Sequence, residues 1–440
     1  MNIMPEKRKN ILLRTFVYVI DNFDTILSIV LAIVAALIST FGGKMEIAIA
    51  ATAGVLTLIS VSLIRDRQAR DKLLNQVTNI DHDIRNLTAH PSADLFFSRK
   101  TSEQEIILSA ENELLLVQET GRLIAETCRR ELVNFLKKGG RIRWINVLDN
   151  HHLSDLMAFR NANLTPSLML GRMKNGIEMI EVLTNDAFTY AANLEVRFLP
   201  YPIDITAIFN DPSHLDKRKK GAIIRLQGFK VTFDDKLDFK VNAENSKDVY
   251  NLFIQQAENM WMISTKCLFL TGKPGIGKST LLTKAVARIK QDQDIKISGF
   301  LTHDIRNADG ERVGFETETI DKKKKGELAV KQSNGSYKLN HITIDEIVIP
   351  EILNGLENSD IIVIDEIGPI QLQNPDFQKS INLLLSKRDV SILGIVALEG
   401  HSYLSKIYNH YRTGLINVSE SNRESLVERL VSEFSLRKVL

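Results

Sequence analysis

The chain has 440 residues, 56 Lys+Arg against 54 Asp+Glu for a formal net charge of +2, and two cysteines. With 44% apolar and 25% charged residues it has ordinary globular composition, which excludes wholesale disorder; at roughly 150 residues per domain, the length predicts about three units. Cys128 and Cys267 lack any CxxC or Cys/His spacing, which argues against a disulfide scaffold or zinc cluster, and the near-neutral bulk gives no strong nucleic-acid signal.

The small positive charge is concentrated at the amino terminus. Between Thr25 and Ile64 the only charges are Lys44 and Glu46, beside Gly42-Gly43, which divides the stretch into segments 25–41 and 47–64. At about 1.5 Å per residue each forms a helix of roughly 26–27 Å, the length of a thin bilayer. Lys7, Arg8, Lys9 and Arg14 precede the pair; Arg65, Arg67, Arg70 and Lys72 follow it. The pattern predicts a two-helix transmembrane hairpin (anchor 1–66) in a lipid bilayer, as in a bacterial inner membrane, with both termini cytoplasmic. A buried helical hairpin is the competing reading. Ala32, Ala35, Ala36, Ala48, Ala51 and Thr52 suit close helix packing in lipid, and segment 11–20 suits the interface.

Residues 67–95 read as a helical stalk. Leu73, Val77, Ile80, Ile84 and Leu87 follow the 4-3-4-3 spacing of a coiled-coil seam, so hairpin and stalk together predict a homo-oligomer; a helix packed on its own domain fits the two heptads equally. Residues 96–250 alternate helix and strand signals and predict an α/β middle domain. Its strands are expected at 112–120, 141–148, 194–199, 205–210 and 222–227, with helices before Gly139-Gly140 and at 151–160 and 166–188. The strand, long helix, GG and second strand ending near Asp149 resemble the phospholipase D-like fold. That family's H-x-K motif does not occur, since His214-Leu215-Asp216-Lys217 has the wrong spacing, so the resemblance implies a non-catalytic sensor or docking domain. His151, His152 and Asp155 read as a polar helix start rather than a metal site.

The chemistry-bearing pattern lies in 260–440. An apolar strand (KCLFLT, 266–271) runs into Gly272-Lys273-Pro274-Gly275-Ile276-Gly277-Lys278-Ser279 and then Thr280, the G-x-x-x-x-G-K-S phosphate loop. Its glycines let consecutive N–H groups wrap a phosphate at a helix start; Lys278 neutralises charge on the terminal phosphates, and Ser279 offers a hydroxyl to Mg²⁺. A second apolar run, DIIVIDE (360–366), ends in two carboxylates. Asp365 is the candidate metal ligand with Ser279, and Glu366 is the candidate catalytic base beside Lys278. A mainly parallel sheet is predicted.

Residues 264–437 resemble the THEP1-type nucleoside-triphosphatase family through TGKPGIGKST (271–280), GFLTHDIR (299–306), ERVGFETETI (311–320), VIDEIGPIQL (363–372) and ESNRESLVERL (420–430). The resemblance implies hydrolysis of ATP, GTP or other nucleotides with Mg²⁺, and makes Arg306, Arg312, Asn422 and Arg423 candidates near the nucleotide; Arg306 and Arg312 equally fit ion pairs that brace a β-hairpin. Asp304 stands in place of the family's glutamate, and Ile370-Gln371 in place of its Met-Glu pair, which bears on base preference and turnover. The run Lys322–Lys325 reads as a hairpin tip and Asn334-Gly335 as a tight turn. Three functions remain open from the sequence: a membrane-anchored Mg²⁺-dependent nucleoside triphosphatase coupled to the middle domain and hairpin; a nucleotide or small-molecule kinase; and a nucleotide-switched membrane effector for bacterial stress or antiviral defence.

Overall fold

A computed structural model describes residues 28–36, 45–88, 97, 102–232 and 236–435. The chain divides into two units, Met1–Leu95 and Phe96–Leu440. In the first unit, residues 28–36 are helical and Met45–Thr88 is one uninterrupted 44-residue helix. Among the described residues no helix is long and apolar enough to cross a membrane, and this overturns the expected membrane localisation with its cytoplasmic termini. The reason is continuity. Residues 47–64 do not form a separate span but open a helix that carries Arg65, Asp66, Arg67, Arg70, Asp71 and Lys72 within the same rod. Neither a transmembrane hairpin nor a lipid partner is supported. The flanking charges at 7–14, segment 11–20 and Gly42-Gly43 lie outside the described residues. Leu73, Val77 and Ile80 of the seam are exposed along the long helix.

The second unit contains two sheets. The first is formed by β1 (Glu113–Gln118), β2 (Arg141–Val147), β3 (Leu194–Leu199), β4 (Ile205–Asn210), β5 (Gly221–Leu226) and β6 (Asp238–Asn242), in the order β3-β2-β1-β4-β5-β6. β1, β2 and β3 are parallel, whereas β4, β5 and β6 continue antiparallel. Five strands and the helices His151–Arg160 and Pro166–Ala187 fall where the apolar patterning placed them. The single helix expected before Gly139 is instead two, Arg122–Thr127 and Arg129–Lys137. Cys128 leaves helical geometry between them (φ −111°, ψ 16°) and is itself buried. β6 and the helix Lys247–Ile263 were not foreseen; the latter spans residues 250–260 between the two expected α/β regions.

The second sheet has eight strands: β7 (Cys267–Thr271), β8 (Ile297–Arg306), β9 (Arg312–Thr319), β10 (Lys325–Lys331), β11 (Tyr337–Leu339), β12 (Ile361–Ile367), β13 (Ser391–Val396) and β14 (Thr413–Asn417). Their order is β11-β10-β9-β8-β12-β13-β7-β14. The five strands from β8 to β14 are parallel, and β9, β10 and β11 extend the β8 edge antiparallel. Both faces of the parallel part are covered, which is why its strands read as unbroken apolar runs. Phe269, Ile364 and Ile392 pack with Phe377 and Ile381 of the helix Pro375–Ser386. Leu268, Leu270 and Leu393 pack with Leu282 of the helix Lys278–Ile289 and Leu430 of the helix Arg423–Ser435. Residues 322–325 lie at the tip of the β9–β10 hairpin.

Gly299 shows how tightly β8 and β12 are joined. Its φ is +110°, and a Cβ there would lie 1.9 Å from the Val363 carbonyl oxygen on the paired strand. Gly299→Ala is expected to cost roughly 3 kcal/mol or more, from backbone strain and overpacking together. Chemical denaturation of the two proteins would measure it, and equal midpoints would contradict it.

The two sheets meet along β3 and the region before β7. The Val196 amide donates to the Tyr411 carbonyl at 2.7 Å, and Thr265 and Phe198 exchange backbone hydrogen bonds of 2.8 and 3.3 Å. Arg388 grips Asp149 through two bonds of 2.7 Å. Buried Arg197, on β3, reaches Glu433 of the last helix at 2.9 Å and stacks over Trp261 at 4.0 Å, while Lys266 reaches Glu433 at 3.3 Å. Beside this seam His410 stacks on Tyr411 with centroids 4.5 Å apart, and its Nδ1 accepts from the Arg412 amide at 3.3 Å. Loss of water around the ring, then the Arg412 and Arg388 guanidiniums, pull its imidazole down to about 3. Its folded value lies below the free one, so protonation favours the unfolded chain. The stabilisation is complete above about pH 6.5 and is lost as pH falls toward 3. His410→Gln is therefore expected to flatten the acid side of a Tm-against-pH profile; an unchanged acid slope would contradict this.

Candidate active site

The phosphate loop joins β7 to the helix Lys278–Ile289. Gly272, Gly275 and Gly277 have φ of +139°, +79° and +98°, conformations that L side chains rarely adopt. A Cβ on Gly272 would also lie 2.8 Å from the Val418 carbonyl oxygen, so this glycine is required by space as well as by torsion. Lys273, Pro274 and Gly275 are exposed, and Ile276 packs partly against the core face that holds Leu281 and Leu282. Lys278 folds back over the loop, its ammonium donating to the Gly272 carbonyl at 2.9 Å and the Lys273 carbonyl at 3.2 Å. Ser279 and Thr280 follow in the first turn, exposed beside it.

β12 lies two strands from β7, with β13 between them, and brings its terminal carboxylates to the same loop. Ser279 Oγ donates to Asp365 Oδ1 at 3.0 Å, and the Thr302 amide on β8 donates to Asp365 Oδ2 at 3.3 Å. The Thr302 hydroxyl also donates to the Asp365 carbonyl. Asp365 is 1% exposed; burial and the adjacent Glu366 raise its carboxyl to about 7, against the pull of Thr302, Ser279 and Lys278. Burial raises Glu366 as well, opposed by the charges of Lys278 and Arg312. The Ser279 hydroxyl and Asp365 carboxylate are hard oxygen donors on adjoining elements, a pair that fits Mg²⁺, and a buried carboxylate beside a second one calls for cationic compensation.

The remaining candidates divide. Arg306 and Arg312 both close on Asp304: Arg306 Nη2 donates at 2.7 Å, and Arg312 pairs through Nε at 2.9 Å and Nη2 at 3.0 Å. Asp304 is thus the clamp that holds two arginines at the outer end of the β8–β9 pair. Asn422 fixes the turn after β14. Its side-chain oxygen accepts from the Ser419 amide at 2.9 Å and its amide donates to the Asn417 carbonyl at 2.9 Å, one strand from Thr271 at the loop's start. Arg423 opens the last helix with its side chain exposed.

Three groups support the site, and of these only Gln371 was singled out from the sequence, as a departure bearing on base preference and turnover. Thr302 holds Asp365, as above. Gly368 leaves room for the carboxylate, because a Cβ there would meet Glu366 Oε1 at 2.7 Å and Gln371 Oε1 at 3.3 Å. Gln371 is buried, and its Oε1 has no hydrogen-bond partner among the described residues. The sequence signal for Gly368 was its place directly after the acidic pair, and for Gln371 its departure from the family's Met-Glu pair.

A sequence-family profile described as NTPase matches residues 267–431. The chain is 32% identical over 176 residues to the nucleoside-triphosphatase THEP1 of Methanosarcina acetivorans, an alignment covering 39% of this chain and 97% of that protein. It is 34% identical over 127 residues to THEP1 of Sulfurisphaera tokodaii, covering 28% of this chain and 74% of that one. Among solved structures, THEP1 from Aquifex aeolicus aligns with 26% identity and a TM-score of 0.34, over 38% of this chain and 97% of that one. None of these supports the phospholipase D-like reading of the middle region. Loop, acidic strand and sequence relationship agree, and the chain belongs, through residues 267–431, to the NTPase family that includes the THEP1 nucleoside-triphosphatases, and is a P-loop NTPase enzyme.

Proposed function

We propose that the chain hydrolyses ATP or GTP with Mg²⁺ in the site formed by the phosphate loop and the end of β12, and that the seam between its two sheets couples this reaction to the middle domain. The observation that carries the catalytic part is the 3.0 Å bond between Ser279 and Asp365, which unites the two motifs in one constellation. In this reading the amides of residues 272–280 bind the phosphates at the helix start. The Lys278 ammonium exchanges its loop carbonyls for phosphate oxygens, and Ser279 and Asp365 hold the metal. Mg²⁺, when bound, supplies charge neutralisation on the phosphate oxygens. Glu366 orients a water and accepts its proton, a task favoured by the upward pull of burial on its carboxyl. Arg306 and Arg312, held by Asp304, give positive charge to the open side, and Asn422 and Arg423 border the nucleotide on the β14 side.

The coupling part is supported by the position of Lys266 immediately before the phosphate-loop strand. It shares Glu433 with Arg197 of the middle sheet. The seam of exposed residues on Met45–Thr88 is proposed to bring copies of the chain together.

Phosphate release from ATP and GTP by the full-length protein tests the assignment. It is expected to require Mg²⁺ and to stop on chelation with EDTA. Labelled γ-phosphate appearing on an acceptor rather than in solution would favour the kinase reading, and release indifferent to EDTA would sink the proposed metal site.

A further inference from the structure

Past Glu366, β12 closes at Ile367, and the chain passes through Gly368, Pro369 and Ile370 into a short helical turn, Gln371–Gln373, before the helix Pro375–Ser386. This connection is pinned along its length. The Leu372 amide donates to the Gly368 carbonyl at 3.0 Å, and the Leu372 side chain lies in the core with Phe377. The Gln378 side-chain amide donates to the Leu372 carbonyl at 2.8 Å. Asn374 caps the helix that follows, accepting from the Asp376 and Phe377 amides at 2.8 and 3.0 Å. The backbone that carries Gln371 is therefore fixed on both sides.

Within this frame two oxygens converge. The point that a Cβ would take on Gly368 lies 2.7 Å from Glu366 Oε1 and 3.3 Å from Gln371 Oε1, and glycine keeps that space free of protein. Gln371 is 3% exposed, and its Oε1 is buried with no partner among the described residues. An ionised carboxylate and an amide oxygen are both acceptors only. Two such atoms beside one gap repel each other until a donor joins them, and an unmet buried acceptor costs about 1–3 kcal/mol. A water molecule, with two protons to give, satisfies both at once. A neutral Glu366 donating directly to Gln371 is the competing arrangement, and it predicts the opposite effect on turnover.

The neighbouring strand closes over the same turn. The Ala397 amide, just past β13, donates to the Ile367 carbonyl at 3.1 Å. Gly400 has φ +107°, and a Cβ there would lie 2.6 Å from Pro369 Cγ, so the segment after β13 rests directly on the connection. β13 itself separates β12 from β7, the strand that feeds the phosphate loop. The charges of Lys278 and Arg312 both act on the Glu366 carboxylate, which places it within electrostatic reach of the ammonium that meets the terminal phosphate.

We propose that Gln371 is the water-positioning residue of this site: its Oε1 accepts one proton of the attacking water and so turns the other toward Glu366. The inference rests on the reading of Glu366 as the base. In the step itself the water oxygen forms a bond to the terminal phosphorus, while the bond from that phosphorus to its bridging oxygen breaks and the electron pair leaves with the nucleoside diphosphate. Glu366 takes one proton of the water; the proton facing Gln371 stays with the phosphate product. Gln371 neither gains nor loses a proton, and its contribution is orientation.

Phosphate release from ATP and GTP by the full-length protein tests this in three variants. Gln371→Met keeps the length and burial of the side chain and removes the acceptor; kcat is expected to fall about tenfold, the loss of one buried hydrogen bond, with KM within about twofold of the parent. Gln371→Glu retains an acceptor oxygen at the same reach in either protonation state, and is expected to keep kcat within about threefold of the parent. Added to Glu366→Gln, Gln371→Met is expected to slow release by less than about threefold further, because both groups act on one water. Circular dichroism and fluorescent-nucleotide titration check that each variant folds and binds. Parental or faster release by Gln371→Met, a change in KM with kcat intact, a Gln371→Glu protein as slow as Gln371→Met, or fully additive losses would each overturn the role of Gln371 and leave Glu366 in place. Parental release by Glu366→Gln alone would overturn the base assignment and this inference with it.

Discussion

Lys278→Ala is expected to abolish nucleotide binding by the full-length protein. The ammonium is held over the loop by the Gly272 and Lys273 carbonyls, so it is already at the mouth of the phosphate cradle when nucleotide arrives. Each charge-assisted bond to a phosphate oxygen is worth about 1.5–3 kcal/mol, and two of them amount to a loss of at least about a hundredfold in affinity. The loop itself is expected to persist, because its shape comes from glycine torsions and from the packing of β7. Fluorescent-nucleotide titration reads the affinity, and unchanged melting establishes that the fold is intact. Binding within twofold or threefold of the parent would remove Lys278 from the site.

Glu366→Gln is expected to separate binding from turnover. The amide keeps the size of the carboxylate and removes only its ability to accept a proton, so nucleotide should still bind. General-base assistance contributes about 10²–10⁴-fold, and phosphate release should fall within that range. The substitution also removes a negative charge next to Asp365, which is raised partly by Glu366. Asp365 should consequently ionise more readily and hold metal no worse than in the parent. Slow release with intact binding supports the role of the base; release at the parental rate would transfer it to another group.

How much of this was legible depended on whether the cause was local. The phosphate loop was readable because torsion and charge constrain each of its residues within eight positions. DIIVIDE was readable because a strand covered on both faces must be apolar until it emerges. Asp304 was noted only as a departure from its relatives; strand register sets Arg312 opposite Arg306, six residues away in the chain, so that both reach the one carboxylate. The seam left no trace in the sequence. Arg197, Lys266 and Glu433 look like surface charges until two sheets bury them together. The membrane reading failed for the opposite reason: apolar runs of minimal length were weighed without the charged continuation of the same helix. The phospholipase D-like resemblance rested on the order of elements alone, which unrelated α/β folds share.

The Arg197–Glu433–Lys266 cluster ties the two sheets through a buried ion-pair network. Deleting the middle domain would strip Arg197 from Glu433 and uncover the Tyr411 backbone that receives Val196. A fragment beginning near residue 250 would therefore report the injury of severance together with its own chemistry. Single substitutions across the seam, at Arg197 or Glu433, test the proposed coupling without that injury.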